Sequence, residues 1–493
     1  MNEEGKGVLL WRRIGLAAGI AAFLAIAVPD SGLKHIVKDG VSLGPRPAYA
    51  AATAALMAVW WLSEALPIHW TACVPLVLYP SLDVFGRGWR GSALRAGGPF
   101  VDAYIFLFLG GMMIGAAMEQ WNLHRRVALH IMRAVGTDPK RLLLGMLMAT
   151  ALVSLWISNS ATTVMMMPIG LALLAQLEAG AGRRLRHFGS ALMLGVAYAS
   201  SVGGIGTKIG TATNSVFCGW ISEHLPQQQF SFLKYVALGF PFVVLFIPIV
   251  WLVLWRLGRR DELGDAQGRE ALDRELVAMG PMKAGEKKVA AVFVQTALLW
   301  MAADLVRPIL AGRLSPLWPG FAFEGKHYEA AVAMLAGFIL LAARALSLVN
   351  LRRMPWSTLP LLGGSFALAA GVDGSGLSGW LAMQMAGLQK QPLFLQIALT
   401  SLATVVLSAV TSNVGTVSVM LNVLPRSMAV LSACAIGASC DFALPAGTPP
   451  NAIVFGSGYI RLPTMMKTGV ALDLAAAMLL TLYVFFYARF LFA

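Results

Sequence analysis

Two short polar runs interrupt an otherwise apolar chain, and each is followed by a segment broken by glycine or proline. The first run is Ser154 with Ser158-Asn159-Ser160, followed by Gly203-Gly204-Ile205-Gly206-Thr207-Lys208-Ile209-Gly210-Thr211. The second is Ser408 with Thr411-Ser412-Asn413, followed by Leu444-Pro445-Ala446-Gly447-Thr448-Pro449-Pro450-Asn451. Glycine and proline break helices and free backbone carbonyls and amides. Hydroxyls, asparagine carbonyls and freed backbone carbonyls are hard oxygen ligands suited to a small cation such as sodium. Freed amides and half-helix N-termini suit an anion. Each half of the chain thus offers acceptors for a cation beside donors for an anion, the combination needed to carry an anion together with cations.

Such groups must be held at membrane depth, and the composition supplies the means. Of 493 residues, 58% are hydrophobic and 13% charged, against about 25% charged in soluble domains. This excludes a soluble enzyme, a disordered chain and a disulfide scaffold. Crossing the hydrocarbon takes roughly 20 residues. Runs of that kind fall near 10–28, 46–66, 68–84, 101–119, 188–222, 231–255, 288–307, 328–346, 358–373, 428–460 and 466–488, eleven in all. The stretches 141–177 and 393–425 are each long enough for two short helices, with the Ser-Asn runs at their centres. A polar break at this depth is tolerated only where it is buried in protein or lines a cavity, so both read as re-entrant hairpins. The expected fold is an all-α polytopic membrane protein with about eleven transmembrane helices and two re-entrant hairpins.

The net charge of +14 is confined to short loops. It fits the positive-inside rule with the N-terminus inside, and the lipid bilayer rather than nucleic acid as partner. The run after Trp11-Arg12-Arg13 reads as a first span, not a cleavable signal. The segment 256–288 mixes Arg259, Arg260, Asp261, Glu262, Arg269, Glu270, Lys287 and Lys288 and reads as a solvated cytoplasmic linker. Cys73, Cys218, Cys434 and Cys440 lie in apolar runs as small core residues. The seven histidines have no metal-ligand spacing, so no metal beyond sodium and no organic cofactor is expected. Glu64 reads as a structural acid, and Glu119 and Asp373 as capping or solvated.

The two halves echo each other. Gly110-Gly111 precedes the first hairpin as Gly363-Gly364 precedes the second, Ser158-Asn159 matches Ser412-Asn413, and Gly210-Thr211-Ala212-Thr213-Asn214 matches Gly447-Thr448-Pro449-Pro450-Asn451. On the expected topology the halves cross the membrane in opposite senses. Inverted repeats are the architecture of many secondary transporters, with the site on broken helices near the midplane.

Here a family resemblance is close. Trp60-Trp61-Leu62-Ser63-Glu64-Ala65-Leu66-Pro67-Ile68 is similar to the early signature of the divalent anion/sodium symporter (solute carrier 13) family. Ser158-Asn159-Ser160 and Ser412-Asn413-Val414 sit where that family has two Ser-Asn-Thr motifs, and residues 444–458 resemble its late signature. The resemblance implies an elevator-type homodimer in the cell membrane that carries C4-dicarboxylates, citrate or sulfate with two or more sodium ions. It implies scaffold helices in 1–100, transport units in 101–230 and 351–462, a linker with further scaffold helices in 231–350, and a C-terminal helix in 463–493. It places one sodium on Ser154, Ser158, Asn159 and Gly210, and a second on Ser408, Thr411, Asn413 and Gly447. The anion would touch Ser158, Asn159, Ser160, Thr211, Ser412, Asn413, Thr448 and Pro449.

The departures are specific. Val414 lacks the hydroxyl of the family motif, and Lys208 and Asp441 are ionisable groups at membrane depth, where charge is costly and marks function by default. Lys208 has three readings: a bridge to Asp441, a positive charge for the anion or in place of a coupling ion, or a side chain that snorkels to the cytoplasm. A Lys208 that replaces a coupling ion would make the protein a sodium-independent dicarboxylate exchanger or a proton-linked carrier. A membrane enzyme would need a nucleophile–base pair or paired acids at the midplane. A pump would need a phosphate-binding loop, and a channel a pore around a symmetry axis. The sequence offers none of these.

Overall fold

The apolar runs become helices, some of which carry proline inside, as Phe232–Gly258 does at Pro241 and Pro248, while the Gly- and Pro-rich runs after the polar tips break theirs. The computed structural model describes residues 3–30, 32–38, 41–136, 138–228, 230–261, 267–314, 316, 323–445 and 447–492. Ala446 of the late motif and Glu262 of the charged segment lie outside the described residues. Unbroken helices include Glu3–Ala27, Arg46–Ser63, Ala103–Gln120, Phe232–Gly258, Gly325–Ala342, Thr358–Gly374 and Leu462–Phe486. The first hairpin is Pro139–Ser154 and Asn159–Ala181, and the second is Leu393–Val410 and Asn413–Val423. The first broken helix is Arg186–Gly204 and Ala212–His224, and the second is Met428–Gly437 and Pro449–Phe455. The strand content of the described residues is one two-residue pair, Val37–Lys38 with Val41–Ser42.

The expected spans are therefore helical, but not as eleven straight rods. Among the described residues, five helices are long and apolar enough to cross a membrane, two of them, Asn159–Ala181 and Leu393–Val410, being arms of the hairpins, or six if Ala284–Met301 and the helix after it count as one span bent by 81°. Several other spans are interrupted, as where Ile68–Thr71 and Val74–Ser81 replace one helix over 68–84.

One glycine of each Gly-Gly pair makes a close backbone contact, though not the matching one. A Cβ on Gly110 would lie 2.4 Å from the Ala333 carbonyl carbon, and one on Gly364 would lie 2.0 Å from the Ala72 carbonyl oxygen. Each glycine lets two helices touch backbone to backbone, the contact that small residues provide in membranes.

The charged segment is docked on one side and solvated on the other, where Arg259, Arg260, Lys287 and Lys288 are exposed. Its helix, Gln267–Met279, packs on the helices Leu123–Val135 and Asn159–Ala181. Arg126 meets Glu286 at 2.9 Å, with side chains only 12% and 3% exposed, and Arg125 pairs with Glu275. Asp261 accepts from the backbone N–H groups of His187 and Phe188, both at 2.8 Å, at the start of the first broken helix. Acids bury this deeply only when partnered, and the mixed signs of the segment supply the partners.

Candidate functional site

The two hairpin tips and the two helix breaks meet around one cavity of about 1450 Å³. Ser158, Asn159, Ser160, Thr211, Ser412, Asn413, Thr448 and Pro449 all line it, with Thr411, Val414 and Gly447. Behind the wall lie Ser154, Gly210 and Ser408, all buried.

Behind each tip, oxygens outnumber protons. Ser154 Oγ lies 3.0 Å from Asn159 Oδ1 and 2.6 Å from the Ser200 carbonyl oxygen. In the second half, Ser408 Oγ lies 3.2 Å from Asn413 Oδ1 and 2.6 Å from the Ala438 carbonyl oxygen. A hydroxyl has one proton to donate. Each cluster therefore holds three converging oxygens with one hydrogen among them, which is the donor set a hard cation needs.

Toward the cavity the polarity reverses. Four helices begin on its wall, at Asn159, Ala212, Asn413 and Pro449, with Ser158, Thr211, Ser412 and Thr448 at their N-caps. Ser412 Oγ accepts from Gly415 N at 3.1 Å and Thr448 Oγ1 from Asn451 N at 3.2 Å. A helix N-terminus carries about half a positive unit charge, so four of them make this wall favourable to an anion.

Two asparagines hold the breaks open. Asn214 Nδ2 donates to the carbonyls of Gly204 at 2.8 Å and Thr207 at 2.7 Å. Asn451 Nδ2 donates to those of Leu444 at 2.9 Å and Asp441 at 3.3 Å. The two sets are related by one constant offset, so the repeat extends to hydrogen bonds. The Gly-Thr-x-x-Asn match in the sequence carries this signal.

Lys208 departs from every reading given to it. Its Nζ lies 2.7 Å from Glu329 Oε2, with both side chains fully buried. It also donates to the Phe230 carbonyl and sits 5.6 Å above the Tyr104 ring. Phe232 N donates to the other carboxylate oxygen at 2.6 Å. The ammonium neither pairs with Asp441 nor lines the cavity, and it does not reach the surface. A membrane-depth charge is affordable when paired and hydrogen-bonded, and Glu329 provides that at a separation that no spacing rule addresses. Asp441 is buried near the second tip, where its Oδ1 accepts from Asn413 Nδ2 at 3.3 Å.

Glu64 and Glu119 were read as structural or capping, yet both line the cavity, with Arg12, Arg353, Trp61 and Asn350. Asp373 is paired instead, 2.9 Å from both Arg426 and His224.

Residues 36–493 match the family described as the sodium:sulfate symporter transmembrane region. The chain is 32% identical over 461 residues to the sodium-dependent dicarboxylate transporter SdcS of Staphylococcus aureus, covering 89% of this chain and 85% of that protein. It is 31% identical over 517 residues to SdcS of Staphylococcus saprophyticus, covering 98% and 93%. Among solved structures, it is similar to the Alcanivorax borkumensis YdaH transporter, with a TM-score of 0.55 and 16% identity over 88% of this chain and 98% of that one. The last is a likeness of fold.

Proposed function

The chain belongs to the sodium:sulfate symporter family, and from that premise we propose that it is a sodium-coupled symporter of a C4-dicarboxylate such as succinate or malate. One observation carries the reading. Two proton-poor oxygen clusters stand behind the same cavity wall from which four helix N-termini point inward. The clusters suit two sodium ions, on Ser154, Ser158, Asn159 and Gly210 and on Ser408, Thr411, Asn413 and Gly447. The wall suits an anion with a carboxylate at each Ser-Asn tip. Cations bound behind the tips add positive charge to the anion's surroundings, so each ligand raises the affinity of the other. The relatives named above, described as sodium-dependent dicarboxylate transporters, support both cargo types.

The inverted repeats support alternating access. In this reading the segments 101–230 and 351–462 move as an elevator against scaffold helices in 1–100 and 231–350, in a homodimer in the cell membrane. The alternative is a sodium-independent exchanger in which Lys208 replaces a coupling ion; the pairing of Lys208 with Glu329 favours the symport.

The test is uptake of radiolabelled succinate into proteoliposomes, with and without an inward sodium gradient and with and without internal succinate. Uptake that requires sodium and no internal substrate is expected. Uptake that requires internal dicarboxylate and ignores sodium would overturn the symport. Sodium-driven uptake of citrate or sulfate, but not succinate, would overturn the cargo alone.

A further inference from the structure

The two breaks differ at the position of Asp441. Asp441 is related to Gly204 by the offset that relates Asn451 to Asn214 and Leu444 to Thr207. In the first half no side chain fits, since a Cβ on Gly204 would lie 2.1 Å from Asn159 Oδ1. In the second half a carboxylate occupies the place. Asp441 is 1% exposed, and its Oδ2 has no hydrogen-bond partner. Asn451 Oδ1, from the residue that bonds the Asp441 carbonyl, is also buried and unpartnered.

The orphan oxygen points at a defined spot. The position a Cβ on Gly447 would take lies 3.1 Å from Asp441 Oδ2, 3.3 Å from the Ala409 carbonyl oxygen and 3.4 Å from the Leu444 carbonyl oxygen. Glycine leaves that spot free. Three oxygens, one of them a carboxylate's, thus converge on a small space; the Leu444 carbonyl also accepts from Gly447 N and Asn451 Nδ2, whereas Asp441 Oδ2 has no partner. The neighbouring acid Asp473 does not compete for it, because its Oδ1 accepts from Phe442 N at 2.8 Å. A buried carboxylate oxygen without a partner is strongly unfavourable and calls for a ligand. Hard carboxylate and carbonyl oxygens select a hard cation.

We propose that Asp441 is an anionic ligand for a monovalent cation, sodium, bound between Gly447, Ala409 and Leu444. The second half then carries a charged cation site and the first half a neutral one, so the second binds sodium more tightly. This rests on the sodium-coupled reading above.

The test is thermal unfolding of the purified full chain without dicarboxylate, with sodium chloride replacing choline chloride at constant ionic strength. Wild type, Asp441→Asn and Asp441→Ala are compared, with Ser154→Ala as the variant of the other half. In choline Asp441→Asn unfolds at or above the wild-type temperature, because an uncompensated buried charge is gone, whereas Asp441→Ala also loses the bond from Asn413 Nδ2 and serves only for its sodium dependence. In sodium the wild type gains stability, and the half-saturating sodium concentration of both Asp441 variants rises by about tenfold or more. Ser154→Ala keeps the tight, Asp441-dependent component. Sodium curves of both Asp441 variants that superimpose on the wild type overturn the proposal alone. A wild type that ignores sodium overturns it together with the reading it rests on.

Discussion

Val414 lines the cavity at the place its counterpart Ser160 holds in the first half. One tip therefore offers a carboxylate a hydroxyl where the other offers methyl groups. Val414→Thr keeps the branched shape and adds a donor on the cavity wall, where the hydroxyl can reach the anion. A hydrogen bond to a charged group contributes about 1.5 kcal/mol or more, equivalent to about a tenfold change. The KM for succinate is expected to fall by about that factor with little change in maximal rate. Sodium-driven uptake kinetics measure both, and an unchanged KM would remove Val414 from the anion's surroundings. The residues of this wall were legible in the sequence because Ser-Asn dipeptides and Gly-Thr runs recur in register. The oxygens of Ser200 and Ala438 were not, since they are backbone carbonyls and any residue type carries one. Glu329 was not legible either, because nothing in a linear chain relates an acid near the start of one span to a lysine in a distant break.

That pair matters at the scale of elements. Lys208 lies in the break between Arg186–Gly204 and Ala212–His224, and Glu329 lies in the helix Gly325–Ala342. The break has no helical hydrogen bonds of its own, so the ion pair pins it to a neighbouring helix. Removing one member leaves a buried charge uncompensated, at a cost of about 3–5 kcal/mol, while replacing both with apolar groups can be neutral. Lys208→Met and Glu329→Gln should each lower the unfolding temperature markedly, and Lys208→Met with Glu329→Leu should recover most of the loss. A double variant that folds and still transports with sodium assigns the pair to structure; one that folds and loses sodium dependence assigns it to coupling. Breaks of this kind were legible where Gly or Pro marked them. The 81° bend after Met301 was not, since Ala302 carries no such signal and Pro308 lies beyond it. There the packing of the whole molecule bends a chain that local preference would leave straight.

The cavity as a whole has a direction. Its charged wall comes from Arg12 and from Glu64, Glu119 and Arg353 at the C-terminal ends of their helices. On the orientation expected from the sequence, Arg12 and Arg353 lie on the basic side that the positive-inside rule assigns to the cytoplasm, and the cavity is expected to open there. Two inverted halves of nearly equal construction can exchange their arrangements, which produces the opposite-facing state from the same contacts. A cysteine at the exposed position Glu119 reports on this, because Cys218, Cys434 and Cys440 are buried and only Cys73 is partly accessible. In a Cys73→Ser background, Glu119→Cys is expected to react with a membrane-impermeant maleimide in inside-out vesicles and not in right-side-out vesicles. Sodium with succinate, added together, should slow the labelling several-fold by shifting the population toward the other state, whereas either alone should slow it less. Labelling from the outer face only would reverse the orientation, and labelling indifferent to both ligands would separate this cavity from the transport cycle.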